Sequence, residues 1–430
     1  MTSAPLKADF LVWSVAVALL SYVWRVHDVF PILGKLKFSL MITGILVFVY
    51  FLDSDRRRKL ETVRHPISTV VVFITALIAI SITTSLNRDF SFNLFVKDHL
   101  RNILLMAILV ASVRGFNDLR VYVLTFIVGS LIFNQNVLRT ASLDGGGRLI
   151  DVLYYDANDL AMLMAMTVPL ILFFVVRGRP ATKMFAVLCL AVNVLVFLRA
   201  GSRGGFLGLL AVGLYLLFQF SAVRKPTRFA AVGVIAVLMM TLAGNQFWGT
   251  MGTLLNLQGD YNMQGENGRK AVWLRGIDYM MQRPVTGVGF QAFPTAEGTI
   301  SAHADRQMYG LGVKWSAAHN SFIQIGAELG ISGLVAFLVL LGYAVFTAQR
   351  LGQRRNPDGS VPDEAVMAQG LVGAVIAYGV CGFFLSQAYA CVSFMLFAMI
   401  VALDKVCRMK DTESARGNMS WAHGTIRLRG

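Results

Sequence analysis

Runs of apolar residues alternate with short polar stretches along almost the whole chain. They fall near Phe10–Trp24, Phe38–Leu52, Ile67–Ser85, Ile103–Val113, Val121–Leu138, Leu160–Val176, Met184–Leu198, Phe206–Val223, Phe229–Trp248, Ser321–Ala348, Met367–Ala390 and Cys391–Leu403. Each supplies the core of a helix able to cross ~30 Å of hydrocarbon. The pattern predicts an all-α polytopic membrane protein of about twelve transmembrane helices. The first run is followed by Arg25-Val26-His27-Asp28 and not by a small-residue cleavage site, so it is expected to stay as a helix. Most connections are short. The exception, residues 247–320 between the ninth and tenth runs, is rich in glycine and polar groups, as long functional loops are.

Composition agrees with the pattern. Of 430 residues, 56% are hydrophobic and only 15% charged, and the mean hydropathy is +0.62, outside the range of a soluble domain this long. Lysine and arginine are more than twice as dense in the loops 53–65, 114–120, 177–183, 223–228 and 350–365 as in the alternate set. The basic-inside rule then predicts a cytoplasmic amino terminus and puts loop 247–320 on the outer face. A net charge of +15 suits an anionic leaflet and an anionic substrate. Nucleic acid is not an expected partner, because the basic residues are scattered over both faces and form no soluble basic domain. We expect one transmembrane domain over 1–408, with short amphipathic helices in 247–320, and a disordered cytoplasmic tail over 409–430.

Within the large loop, apolar positions at Val272, Ile277, Met280 and Met281 predict an amphipathic helix from Gly268 that ends at Arg283-Pro284. The segment Pro284-Val285-Thr286-Gly287-Val288-Gly289-Phe290 reads as a tight turn, a bend between two surface helices. Asp144-Gly145-Gly146-Gly147-Arg148 lacks the Gly-Lys-Ser/Thr of a phosphate loop. Asn158 and Asp159 precede the sixth run, and at least one is expected to cap it.

Two polar motifs stand against apolar runs and carry candidate chemistry. In Arg199-Ala200-Gly201-Ser202-Arg203-Gly204-Gly205 the glycines leave Arg203 room beside a helix end, and a guanidinium can make two parallel hydrogen bonds to phosphate. The bland alternative is an arginine snorkelling to the interface. In Ala318-His319-Asn320-Ser321, Asn320 and Ser321 are good caps, but histidine is a poor one. A pKa near 6.5 makes His319 a candidate general base. His303 is a rival with less context, and Glu328 is the acidic residue well inside a predicted helix. Asp53-Ser54-Asp55 mimics a metal-binding Asp-x-Asp pair, but it sits beside four basic residues on the inner face and reads as a solvated loop. No metal spacing appears, and Cys189, Cys381, Cys391 and Cys407 read as packing residues.

With these residues in view the chain resembles the O-antigen ligase and polymerase superfamily of bacterial envelope glycan enzymes. The resemblance rests on Ser202-Arg203-Gly204-Gly205, on Gly268-Arg269 with Trp273, Pro284, Gly287, Gly289 and Phe290, on His319-Asn320 leading to Gly326 and Leu329-Gly330, and on Tyr155-Asp156-Ala157-Asn158-Asp159-Leu160, where alanine replaces a usual proline. It implies a GT-C-like membrane glycosyltransferase of lipopolysaccharide biosynthesis that uses no cofactor. Such an enzyme takes a glycan from undecaprenyl diphosphate on the periplasmic face of the inner membrane. The acceptor would be lipid A core or a second lipid-linked glycan. The essential residues would fall on Arg203, Arg269 and His319, with Arg199, Lys270, Arg275, Asn320 and Asn158 as substrate-binding residues. A transporter or flippase of lipid-linked or anionic solutes is the alternative, and it would show paired charges deep in the spans or matching broken helices.

Overall fold

A computed structural model describes residues 9–143, 149–150, 156–255, 268–302, 304 and 316–426. The glycine triplet at 145–147, Tyr155 and His303 lie outside the described residues. The amino-terminal part holds α1 (Phe10–Trp24), the short α2 (Val26–Val29) and α3 (Pro31–Lys35), α4 (Phe38–Leu52), α5 (Pro66–Thr83), α6 (Arg88–Leu94), α7 (Leu100–Ser112) and α8 (Phe116–Thr140). A two-stranded ribbon pairs Ser142–Leu143 with Leu149–Ile150. Then come α9 (Ala157–Arg177), α10 (Pro180–Ala200), α11 (Arg203–Gln219), α12 (Lys225–Leu242), α13 (Asn245–Gly252), α14 (Arg269–Gln282), α15 (Phe293–Thr299), α16 (Ser321–Gly352), α17 (Asp363–Gly382) and α18 (Cys391–Ile426).

All twelve apolar runs lie on helices. Among the described residues seven helices, α5, α8, α9, α10, α12, α16 and α17, are long and apolar enough to cross a membrane, while α1, α4 and α11 are shorter apolar helices. The chain is therefore a multi-pass, all-α membrane protein. Three boundaries differ from the hydropathy reading. The ninth run is cut by Gly244, which opens α13. The eleventh ends at Gly382, so residues 383–390 form a non-helical linker. The last helix continues to Ile426, through residues expected to be a disordered tail. That extension is fastened at its start, where Lys410 pairs with Glu364 and Arg354 with Asp411 at 2.5 Å.

Lipid offers no hydrophobic drive for helix association, so close packing must supply it, and small residues permit the closest approach. In the centre α9 packs on α10, α11 and α17. A Cβ at Gly205 would lie 2.5 Å from that of Ala161, and one at Gly208 only 2.3 Å from the Cys381 sulfur. Gly370 and Gly373 of α17 likewise accept Pro169, which sits inside α9. By contrast, no residue of α12 is buried.

The predicted inner ends of the helices gather in one charged cluster. Arg58 is buried between Asp9 and Asp53 and donates to the Ser112 carbonyl at 3.0 Å. Asp404 accepts from Arg350 and Arg408, each at 2.7 Å, and lies 3.6 Å from His65. Asp53 and Asp55 thus belong to an ion-pair network and not to a free solvated loop.

At the other end α16 is broken. Gly330 has φ 74° and ψ −169°, so the helix stops and restarts about 14 Å below its beginning. The segment 284–290 fills the break. Val288 and Gly289 donate their N–H groups to the Ala327 and Glu328 carbonyls (2.8 and 3.1 Å), and Ile331 donates to the Pro284 carbonyl (2.8 Å). Irregular backbone inside a membrane protein is tolerated where protein satisfies it in this way. The glycines of this turn are needed for backbone-to-backbone contact: Cβ atoms at Gly287 and Gly330 would each stand 2.3 Å from the opposing backbone.

Candidate active site

Five elements meet where the motifs converge. Gly201 takes a left-handed conformation (φ 58°) to end α10, and Ser202 caps α11 by accepting the Gly205 N–H at 3.1 Å. Arg203 is therefore the first residue of α11, half-buried, with Nη1 donating to Thr253 Oγ1 at 2.9 Å. Arg269 is the first residue of α14, where Gly268 brings no capping side chain. The positive end of a helix dipole disfavours a cation. Two arginines placed at two such ends make sense when an anion is drawn to each, since the helix end and the guanidinium then attract it together.

Helix α14 is held down firmly. Val272, Gly276 and Tyr279 form its buried stripe, so Ile277 and Met281, expected on the apolar face, are exposed, and Leu274 joins them. Arg275 makes a two-point ion pair with Glu297 of α15 (2.9 and 2.5 Å), and the Tyr279 hydroxyl donates to the same carboxylate at 2.7 Å. Glu297 is fully buried and raises the Arg275 pKa further by hydrogen bonding. This guanidinium, predicted to bind substrate, is committed to a structural carboxylate.

His319 is exposed, at the start of α16, in a left-handed conformation (φ 47°) that costs a residue with a Cβ about 1–2 kcal/mol. Its N–H donates to Ser386 Oγ at 2.7 Å. The carbonyl before it, on buried Ala318, accepts from Trp273 Nε1 of α14 at 3.0 Å. Asn320 is the true cap of α16, its Oδ1 accepting from Phe322 and Ile323 (2.9 and 3.1 Å). Although solvent reaches the imidazole, surrounding protein desolvates it and lowers its pKa below the usual value. The Arg269 charge lowers it further, and Asp156 opposes both. The ring is neutral at neutral pH, as a base must be.

Asp156 caps α9, accepting from the Asn158 and Asp159 N–H groups, each at 2.8 Å. Neither Asn158 nor Asp159 is the cap. Asn158 Nδ2 donates to Asp156 at 3.2 Å, and Asp159 accepts from Gln387 Nε2 at 2.8 Å. Lys270 is exposed beside Arg269. Arg199 is also exposed, and it lines a different feature: a largely apolar cavity of about 550 Å3 between α10 and the α12–α13 segment.

The site thus brings Arg269 and Asp156 within electrostatic reach of His319, and Arg203 opens a second helix, α11. Among the described residues no cluster of three or more His, Cys, Asp or Glu side chains is arranged to hold a metal.

Residues 185–338 match the family model described as O-antigen ligase. The match supports the O-antigen ligase and polymerase superfamily and indicates glycan transfer of the O-antigen ligase type. It spans Arg199, Arg203, Arg269 and His319. No curated protein matches the chain. Asp156, Ser386 and Gln387 lie outside the matched stretch, and the motif reading gave none of them a place in the site.

Proposed function

We propose that the protein is an inverting, metal-independent glycosyltransferase of a bacterial inner membrane that works on the periplasmic face. It takes a glycan from undecaprenyl diphosphate and passes it to a sugar hydroxyl, either on lipid A core (a ligase) or on a second lipid-linked glycan (a polymerase). The acceptor oxygen attacks the anomeric carbon, and the bond from that carbon to the diphosphate oxygen breaks. The hydroxyl proton goes to the neutral His319 imidazole, and the lipid diphosphate leaves as an anion. Arg203 and Arg269 stabilise the charge that builds on it, the kind of preorganised electrostatic help that needs no metal. A single displacement inverts the anomeric centre.

The observation that carries this reading is that Trp273 of α14 bonds the carbonyl just before His319, which holds the histidine against the helix whose first residue is Arg269. A transporter would find use for the broken α16 and the buried Glu328 within it. Those features argue less for transport here, because the carbonyls freed at the break are already bonded by Val288 and Gly289.

The test is His319→Gln. Glutamine hydrogen-bonds but accepts no proton at neutral pH, so transfer should be lost while lipid-diphosphate donor still binds through the arginines. Near wild-type transfer, or donor binding lost together with transfer, would rule out the base assignment.

A further inference from the structure

We propose that the linker 383–390 fixes the geometry of this site, and that Ser386 is the positioning residue that holds His319 in its left-handed backbone conformation. The inference rests on the transferase reading above. It concerns a segment beyond the family match and hidden by its own hydropathy, since Phe383-Phe384-Leu385-Ser386-Gln387-Ala388-Tyr389-Ala390 continues the apolar run of α17.

Each part of the site reaches this segment separately. Phe384 packs where a Cβ on Gly204 would stand 3.0 Å away, next to Arg203. The Phe383 ring meets that of Trp273 at 5.3 Å, on the helix that starts with Arg269. The Ser321 hydroxyl donates to the Leu385 carbonyl (2.7 Å) and accepts the Gln387 N–H (3.0 Å), binding the linker to the first turn of α16. The Gln387 side chain reaches Asp159 of α9, three residues from Asp156. A segment hydrogen-bonded to α9 and α16 and packed by its rings on α11 and α14 fixes their ends relative to one another, which none of those helices does alone.

Ser386 has the narrowest task. A left-handed histidine persists only where its surroundings over-determine it. Here Trp273 holds the carbonyl before His319, the Asn320 cap fixes the residue after it, and Ser386 Oγ accepts the N–H of His319 itself. The charged groups bearing on the imidazole are Arg269 on α14 and Asp156 at the start of α9. The linker contributes no charged side chain.

The experiment uses the full-length protein in liposomes with Ser386→Ala, Ser386→Thr and Trp273→Phe, and it takes two readouts. The first is kcat and donor KM for transfer. The second is the pH midpoint for carbethoxylation of His319 by diethyl pyrocarbonate, resolved from the other five histidines by peptide mass mapping. Ser386→Ala should lower kcat about tenfold with donor KM unchanged, and should raise the His319 midpoint toward about 6.5 as the ring escapes its crowded position beside Arg269. Ser386→Thr keeps the hydroxyl and should behave as wild type in both. Trp273→Phe keeps the ring contact, loses the N–H, and should shift the midpoint in the same direction as alanine. An unmoved midpoint in Ser386→Ala, or equal losses in the alanine and threonine variants, would overturn the inference. Absence of transfer by the wild type would sink the transferase reading, and the midpoint would still decide the link between Ser386 and His319.

Discussion

Arg203 and Arg269 share a position, the first residue of a helix, that is unfavourable for a cation on its own. If diphosphate binding accounts for it, geometry matters as well as charge. Arg203→Lys and Arg269→Lys should each cut transfer by about ten- to a hundredfold, the usual weight of one charge-assisted hydrogen bond, while insertion and melting temperature stay normal. Near-normal transfer by both would mark them as interfacial anchors. Asp156 offers a subtler test. Its carboxylate raises the His319 pKa against the two influences that lower it, so Asp156→Asn should let that pKa fall further. Asparagine caps as well as aspartate, so α9 should be undisturbed. The acid limb of kcat/KM, where His319 becomes protonated, should move to lower pH; movement to higher pH would contradict the assignment. The arginines and His319 were legible in the sequence because a polar residue between apolar runs is conspicuous. Ser386 was not, because a serine among apolar residues carries no signal; Asp156 stood in a quoted motif, but its bearing on His319 was not legible, since that partner lies far away along the chain.

Helices α1 and α4 begin and end where the hydropathy reading placed them, at Phe10–Trp24 and Phe38–Leu52. Two of the misjudged boundaries and the break inside α16 share one cause. Glycine and aromatic residues do not lower hydropathy, so the break at Gly330, the turn at Gly244 and the linker after Gly382 are invisible to an apolar count. The turn 284–290 was legible as a turn, but its docking partner was not. Gly330→Ala should therefore cost on the order of 2 kcal/mol or more, seen as a lower melting temperature in detergent, because φ 74° and the Pro284 carbonyl both oppose a Cβ. The control is Gly213→Ala in α11, where a Cβ meets nothing within 4 Å. It should be neutral or stabilising by about 0.5–1 kcal/mol. Equal destabilisation by both would mean that the break in α16 is not a structural requirement.

Across the whole molecule the charged cluster around Arg58 and Asp404 and the candidate site lie toward opposite ends of α16, whose first turn borders the site and whose Arg350 pairs with Asp404. The density of basic residues predicts that the charged end faces the cytoplasm. Single cysteines at Gln282 and Asp358, in a background lacking the native four, should label from the periplasmic and the cytoplasmic side respectively; a cytoplasmic Gln282 position would place the site on the wrong face. The claim joining all scales is that this membrane protein breaks the bond between glycan and lipid diphosphate and makes a new one to a sugar hydroxyl. It is tested most directly by supplying purified protein in liposomes with undecaprenyl-diphosphate-linked glycan and each acceptor, and measuring both products. The account predicts glycosylated acceptor and free undecaprenyl diphosphate in equal amounts, without added metal. Donor that crosses the bilayer intact, with no lipid diphosphate released, would contradict it.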